Sequence, residues 1–448
     1  MLLLLLTAAA QAATVTRYAE LPADTFIPGP TSGKFIKATN GRQPRFIHQQ
    51  PVQGYSAVVK GDDDSYFVLS DNGFGARDNS SDYLLSIYQV HPEFRTSKGG
   101  TGTIRVSNII QLSDPETYLP YPVARTDRQL TGADLDPESF RRLADGSFWI
   151  GEELNPSLVH FDSSGTLLAP PYKLKGLNSE GNPSNAPANL PRSRGFEGMA
   201  ISPDGKWLYP MLEGSLEDGS TGKQAGLNIY TFNTHEKVFV NKDAGSESFR
   251  YLLDKGATAI GDFTMFSNTG GLVIERDSGE RDKALLKKVY RVDLEQMDEA
   301  GFLRKTLVAD LLEINDPHDL DQDGNALFSF PFWTIEGLVV LNSTTLGIVN
   351  DNNYEVQYLL TISDIPLDWV IFLDNGLTTM NVNMPTGPTT EDLYLYLKNP
   401  TPGTGEIEIE IKDKDTQERW EVTLEIVCES GPIELSVPSS QFNVGQDT

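Results

Sequence analysis

Short apolar runs recur in pairs along this chain, with a turn of Asp, Gly, Ser or Pro between the two runs of each pair. In the first pair, Ser56-Ala-Val-Val leads through Gly61-Asp-Asp-Asp-Ser to Tyr66-Phe-Val-Leu-Ser and ends on Asp71. In the second, Glu138-Ser-Phe leads through Asp145-Gly to Phe148-Trp-Ile-Gly and ends on Glu152 and Glu153. The third runs from Phe196-Glu197-Gly-Met-Ala through Pro203-Asp-Gly to Trp207-Leu-Tyr-Pro-Met-Leu and Glu213. The fourth runs from Gly261-Asp262-Phe through Thr269-Gly-Gly to Leu272-Val-Ile, Glu275 and Arg276. The fifth runs from Ile335-Glu336-Gly-Leu-Val-Val through Ser343-Thr to Leu346-Gly-Ile-Val-Asn and Asp351. Val, Ile, Phe, Tyr and Trp favour strands and the turn residues accept the backbone of tight hairpins, so each unit opens with a β-hairpin.

Third strands are predicted at Leu84-Leu-Ser-Ile-Tyr-Gln-Val, Ser157-Leu-Val-His-Phe, Leu227-Asn-Ile-Tyr-Thr-Phe and Lys288-Val-Tyr-Arg-Val, with fourth strands such as Thr103-Ile-Arg-Val and Thr306-Leu-Val. Four strands per unit, repeating every 60 to 80 residues or so, predict an all-β chain folded as a β-propeller with elaborated loops. Five four-stranded blades are visible, and the stretch from Phe35 to Gln53 leaves room for a degenerate sixth. The last unit lacks a fourth strand before Pro366, while Thr14-Val-Thr-Arg-Tyr stands alone near the start, so the N-terminal strand is expected to complete the last blade.

Beyond Pro366 the repeat gives way to plain alternation at Leu393, Leu395 and Leu397, at Ile407, Ile409 and Ile411, and at Val422, Leu424 and Ile426. Residues 366–448 are therefore expected to form a small C-terminal antiparallel β-sandwich, immunoglobulin-like in outline, and residues 13–365 the propeller.

Residues 2–6 are all leucine, and Ala10-Gln11-Ala12 fits the small-residue rule for cleavage, so residues 1–12 read as a signal peptide. The expected location is secreted, extracellular or periplasmic. No later stretch has the roughly 18 apolar residues that a transmembrane helix needs. The single cysteine, Cys428, excludes an internal disulfide framework. With 63 acidic against 36 basic residues the net charge is −27, which repels nucleic acid and anionic membranes. Cations, neutral small-molecule substrates, or anions bridged by metal remain as partners.

Equivalent positions of a repeat converge in space, so two carboxylate sets should meet at one rim. The first strands carry Glu138, Glu197, Asp262 and Glu336, with Ser56 in the odd unit, and the second strands end on Asp71, Glu153, Glu213, Glu275 and Asp351. Crowded carboxylates must be protonated, paired with cations or used to hold a metal. Oxygen ligands with almost no histidine or cysteine nearby favour Ca²⁺. The plainer alternative is that these groups staple neighbouring blades together. Arg194 and Arg276 adjoin the carboxylates in sequence and could pair with them or meet an anionic substrate group. A second candidate is Asp319-Leu-Asp321-Gln-Asp323-Gly324, the first half of a calcium loop, with Phe330 where the closing acid belongs. The chain has no G-x-S-x-G, H-E-x-x-H, C-x-x-C or phosphate-binding loop.

The segments Asp136-Pro-Glu-Ser-Phe, Leu143-Ala-Asp-Gly-Ser-Phe-Trp-Ile-Gly-Glu-Glu, Gly195-Phe-Glu-Gly-Met-Ala-Ile-Ser-Pro-Asp-Gly-Lys-Trp-Leu-Tyr, Ile335-Glu-Gly-Leu and Asp351-Asn-Asn together resemble the phytase-like domain family, also called esterase-like activity of phytase. The resemblance implies a secreted propeller named for phosphoester or ester hydrolysis. In the related alkaline phytases Ca²⁺ neutralises a carboxylate-lined channel. The lysine and arginine clusters that would grip a polyphosphate are not evident here. The leading expectation is thus a Ca²⁺-dependent hydrolase of phosphate esters or small esters. The alternatives are a non-catalytic extracellular binding protein, attached through its C-terminal domain, and a lactonase-like propeller.

Overall fold

The computed structural model describes residues 13–38, 42–180, 182, 186–218, 222–223, 225–351 and 357–363, with the backbone of two further strands, Gly403–Lys412 and Arg419–Cys428. The expected leader and the strand around Leu395 lie outside the described residues. The chain divides into two compact units, Met1–Pro366 and Leu367–Thr448.

Within the first unit the hairpins form as expected. The first sheet is Tyr55–Lys60, Tyr66–Ser70, Ser86–Glu93 and Thr103–Gln111 in sequence order. The second is Pro137–Arg142, Phe148–Glu152 and Ser157–Phe161, with Leu167 and Tyr172 bridging to its outer edge. The third opens with Phe196–Ile201 and Trp207–Leu212 and continues in shorter strands such as Leu227–Ile229 and Phe249–Tyr251. The fourth is Ala259–Met265, Gly270–Arg276, Lys287–Met297 and Leu303–Asp310. The fifth is Ile335–Asn342, Thr345–Asn350 and Gln357–Ser363, and the N-terminal strand Thr14–Leu21 pairs antiparallel with the last of these. That strand also bridges to the first sheet through Glu20 and Thr103, so the chain's start sews its fifth sheet to its first.

Around the centre, each sheet's first strand neighbours the first strands of the sheets before and after it. The cycle closes where Ile335–Asn342 meets Tyr55–Lys60. The arrangement is all-β and propeller-like. Within the Phe35–Gln53 stretch, the one strand among the described residues is Gln49–Pro51, which pairs with Phe26–Pro28.

Packing on both faces explains why the strands read as continuous apolar runs rather than as alternating ones. In Tyr66–Ser70, Tyr66 and Val68 join a core with Val339 and Val349 of the fifth sheet, while Phe67 and Leu69 join one with Phe140 and Phe148 of the second. One strand thus buries its even residues toward one neighbour and its odd residues toward the other. Trp149 likewise packs against the third sheet, and Phe148 and Ile150 against the first.

Among the described residues, one ion pair crosses the centre. Arg141, on the first strand of the second sheet, reaches past the third sheet to Asp262 on the fourth, with Nη2 at 3.0 Å from Oδ1 and 3.2 Å from Oδ2. Arg141 also donates to the carbonyls of Phe140 and Phe263, at 2.7 Å each. Asp262 accepts from the amide of Leu338 on the fifth sheet at 3.0 Å. Three sheets are tied at one buried point.

In the second unit, Gly403–Lys412 and Arg419–Cys428 pair antiparallel, setting Ile407 opposite Leu424, Ile409 opposite Val422 and Ile411 opposite Trp420. No helix among the described residues is long and apolar enough to cross a membrane.

Removing one partner of a buried pair strands the other charge. Asp262→Ala is therefore expected to cost about 3–5 kcal/mol, read as a lower urea midpoint. The double variant Arg141→Met, Asp262→Leu should recover much of that loss. Equal losses in single and double variants would show that the pair contributes little as a pair.

Candidate functional site

The first strand of every sheet carries a register irregularity at the same place, within Tyr55/Ala57, Pro137/Ser139, Phe196/Gly198, Ile260/Phe263 and Ile335/Gly337. The residues inside these bulges are Ser56, Glu138, Glu197, Gly261 with Asp262, and Glu336. A bulge takes a residue out of the regular alternation and re-aims its side chain. In this way the strands can bury their flanking residues in the inter-sheet cores and still turn a polar group inward.

A shared carbonyl then brings the second carboxylate set to the same rim. Gly54 O accepts the amides of Ser56, at 2.9 Å, and of Asp71, at 3.0 Å. Gly195 O accepts those of Glu197, at 3.1 Å, and of Glu213, at 2.9 Å. Asp136 O and Thr334 O receive Glu153 N, at 3.1 Å, and Asp351 N, at 2.9 Å. Gly54 is required in its place, because its φ is +69° and a Cβ there would lie 1.9 Å from Asp71 Oδ1.

The resulting acidic face has a compensated side and an uncompensated one. On the third, fourth and fifth sheets, Arg276 Nη2 lies 2.9 Å from Glu197, 3.2 Å from Glu213 and 3.0 Å from Glu336. Arg194 pairs with the other oxygen of Glu213. On the first and second sheets, no ion pair among the described residues reaches Asp71, Asp136, Glu138 or Glu153. Asp136 accepts from Asn72 Nδ2 at 2.7 Å, and Asp71 from the amide of Gly73 at 2.9 Å. Asp136, Glu138 and Glu153 each place a carboxylate oxygen within 4.8 Å of the others, and so do Glu153, Glu197 and Glu213. An all-oxygen, buried and under-compensated set of this kind fits a hard divalent cation such as Ca²⁺. A cavity of about 420 Å³ opens beside Asp71 and Asp351.

Burial is the main reason these acids resist ionisation, and their mutual repulsion adds to it. Burial raises Asp71 well above the ordinary range, helped by the charges of Asp351 and Asp136. It raises Glu138, with Asp136 and Glu197 adding, and Glu153 and Glu336 in the same sense. Glu197 is pushed to about 8 even with Arg276 against it.

Not every sequence candidate joins this group. Glu275 faces the other way, accepting from Tyr251 Oη at 2.6 Å and Asp254 N at 3.0 Å and pairing with Lys305. Arg276 takes its place at the rim: it follows Glu275, the partner of Ile260, as Asp71 follows Ser70, the partner of Tyr55. Asp262 is held by Arg141, and burial leaves its carboxyl at about 6. Asp319, Asp321 and Asp323 gather within 4.8 Å in a separate, more exposed loop. There they accept backbone amides of their own turn, as in Gly324 N to Asp319 Oδ1 at 2.9 Å. Asp136 was not among the sequence candidates. Its place two residues before Glu138, where extended chain returns to the same face, was the available signal.

A serine–histidine contact does occur, between Ser147 Oγ and His160 Nε2 at 3.1 Å. His160 is buried and stacked on Trp149 at 4.1 Å, and burial lowers its pKa to about 4. It is a neutral packing group.

The sign of the pH response follows from the raised carboxyls. The folded chain holds protons that the unfolded chain releases, so metal-free stability is fullest below the ordinary glutamate value of 4.5 and falls as pH rises through about 8, the Glu197 value. In EDTA the thermal midpoint should therefore drop steadily between pH 5 and pH 9, two settings chosen to bracket that window. A midpoint that climbs over that range would contradict this account of the acids.

Among solved structures, an arabinanase of Bacillus subtilis is similar at 12% identity over 70% of this chain and 95% of that one, with a TM-score of 0.34. A gluconolactonase of Xanthomonas campestris is similar at 12% identity over 80% of this chain and 99% of that one, with a TM-score of 0.31. Such scores add nothing to the topology that the strand pairing already gives. No curated protein sequence is significantly similar to this chain. Residues 50–354, more than half of the chain, match a known family. The chain belongs to the Phytase-like family, described as esterase-like activity of phytase.

Proposed function

We propose that this chain is a secreted five-bladed propeller that hydrolyses phosphate esters or small esters at its acidic face with the help of Ca²⁺. The observation that carries the reading is the cluster of Asp136, Glu138 and Glu153, three buried acids whose oxygens lie within 4.8 Å of one another and which no arginine or lysine among the described residues pairs directly. These residues would hold the ion, with Asp71 beside them. When bound, a divalent cation supplies charge neutralisation and polarises an ester oxygen or a water.

The chain's own residues would do the rest. Asn72 and the Glu152 carboxylate orient Asp136 through its side chain, at 2.7 Å, and its amide, at 3.3 Å. Glu197, poised near 8, can hold or release a proton at neutral pH, as general acid–base work requires. Arg194 is partly exposed and paired with Glu213 alone among the described ion pairs, so it can turn toward an anionic group. The appended C-terminal unit would serve as a spacer or attachment module.

A second reading, a non-catalytic binding platform, draws support from Arg276. It engages three acids from two other sheets at once, as a blade staple would.

Thermal melts of the full chain at pH 8 separate the two. Ligand at about 100 times its dissociation constant adds about 2.7 kcal/mol, so millimolar CaCl₂ should raise the midpoint by several degrees over EDTA. Glu138→Gln should abolish that shift and hydrolysis of p-nitrophenyl phosphate or acetate together, with its EDTA midpoint no lower than wild type. Asp319→Asn should leave the larger part of the shift in place. No shift and no turnover would leave the binding platform standing.

A further inference from the structure

The cavity beside Asp71 and Asp351 has a chemistry of its own. Gln53 lines it and is 3% exposed, yet its Oε1 has no hydrogen-bond partner among the described residues. Leaving a buried acceptor unpaired is unfavourable, and rotation about the last, soft torsion of the side chain would present it to a ligand. Two aromatic rings, Phe35 and Phe74, line the same cavity, and Phe35 is 49% exposed at its mouth. Among the described residues, Lys37 is the one cationic side chain of the lining.

These features narrow the occupant. An anion placed here would meet the carboxyls of Asp71 and Asp351 and the oxygen of Gln53. A quaternary ammonium would suit the rings but would meet Lys37 and, having no N–H, would leave Gln53 Oε1 unpaired. A neutral group with several hydroxyls satisfies every wall, because its O–H groups donate to the oxygens while its C–H faces lie on the rings.

We propose that this cavity binds a neutral polyhydroxylated group, a sugar or cyclitol bearing free hydroxyls, with Gln53 Oε1 accepting from one hydroxyl and Phe35 covering a ring face. The proposal rests on the hydrolase reading for its meaning, since the group would be the alcohol part of the ester. It directs the search toward esters with free hydroxyls and away from fully phosphorylated polyols.

Saturation-transfer NMR on the full chain, with methyl β-glucoside and with myo-inositol, each in EDTA and in CaCl₂, tests it without reference to turnover. Transfer to at least one polyol is expected under both conditions. Gln53→Met should weaken it about three- to tenfold, the value of one hydrogen bond. Phe35→Ala should weaken it too, and at a half-exposed position that variant keeps the test open should Gln53→Met fold poorly. Transfer unchanged in both variants, transfer to tetramethylammonium in place of the polyols, or no transfer at all would overturn the proposal, even where CaCl₂ still raises the melt. Polyol transfer through Gln53 and Phe35 without any CaCl₂ shift would uphold the pocket and remove the metal.

Discussion

Carboxyl groups turned into the middle of a closed ring of strands, where water is scarce, cannot all ionise unless cations meet them. Most of the molecule's polar architecture follows from that constraint. Five first strands must lie side by side for the ring to close, and their flanking residues are committed to the cores between sheets. The residues left to face the centre are those released by the bulges, and in four of the five sheets they include a carboxylate. Each such group has to be protonated, paired or bound to metal, since low dielectric makes an isolated charge prohibitive.

The chain resolves the constraint differently around the ring. On the fourth sheet Asp262 takes Arg141 from across the centre, and the two then brace three sheets. On the third and fifth sheets the acids share Arg276, which makes one guanidinium serve three carboxylates. On the first and second sheets no cation pairs with the acids of the face among the described residues, and burial drives them toward their protonated forms. Stapled and uncompensated acids are thus divided between regions of one face. The same residue type is stapled or left uncompensated according to whether an arginine pairs with it.

Much of the architecture was legible because it depends on local pattern. Paired apolar runs with Asp/Gly turns mark the hairpins, and the unpartnered strand at Thr14 together with the missing strand before Pro366 marks the closure that Thr14–Leu21 makes with Gln357–Ser363. The convergence of Glu138, Glu197 and Glu336 with the acids that end the second strands was legible for the same reason, since equivalent positions of a repeat share a place in space. What escaped was the alignment of the fourth unit. Its equivalent positions are Gly261 and Arg276, so the rim receives Arg276 while Glu275 turns toward Tyr251 and Lys305. Spacing carried the signal, since Ser56 to Asp71, Glu138 to Glu153 and Glu336 to Asp351 each span 15 residues, as Gly261 to Arg276 does, whereas Asp262 to Glu275 spans 13. Asp136 was overlooked differently, because an acid just before a proline reads as a turn residue, even though its place two residues before Glu138 sets both on one face of extended chain.

The residue at that rim position has a functional consequence. An acid at position 276, as at the equivalent Glu153 and Glu213, would add one buried negative charge to the face and remove its principal cation. Arg276 instead gives Glu197, Glu213 and Glu336 a shared partner, while burial still raises Glu197 to about 8 and Glu336 well above the ordinary range. Among the described residues no ion pair reaches Asp71, Asp136, Glu138 or Glu153, and the cavity that Gln53 and Phe35 line opens beside Asp71. The asymmetry of a nearly five-fold ring can therefore arise from a single arginine standing in place of an acid on the other side.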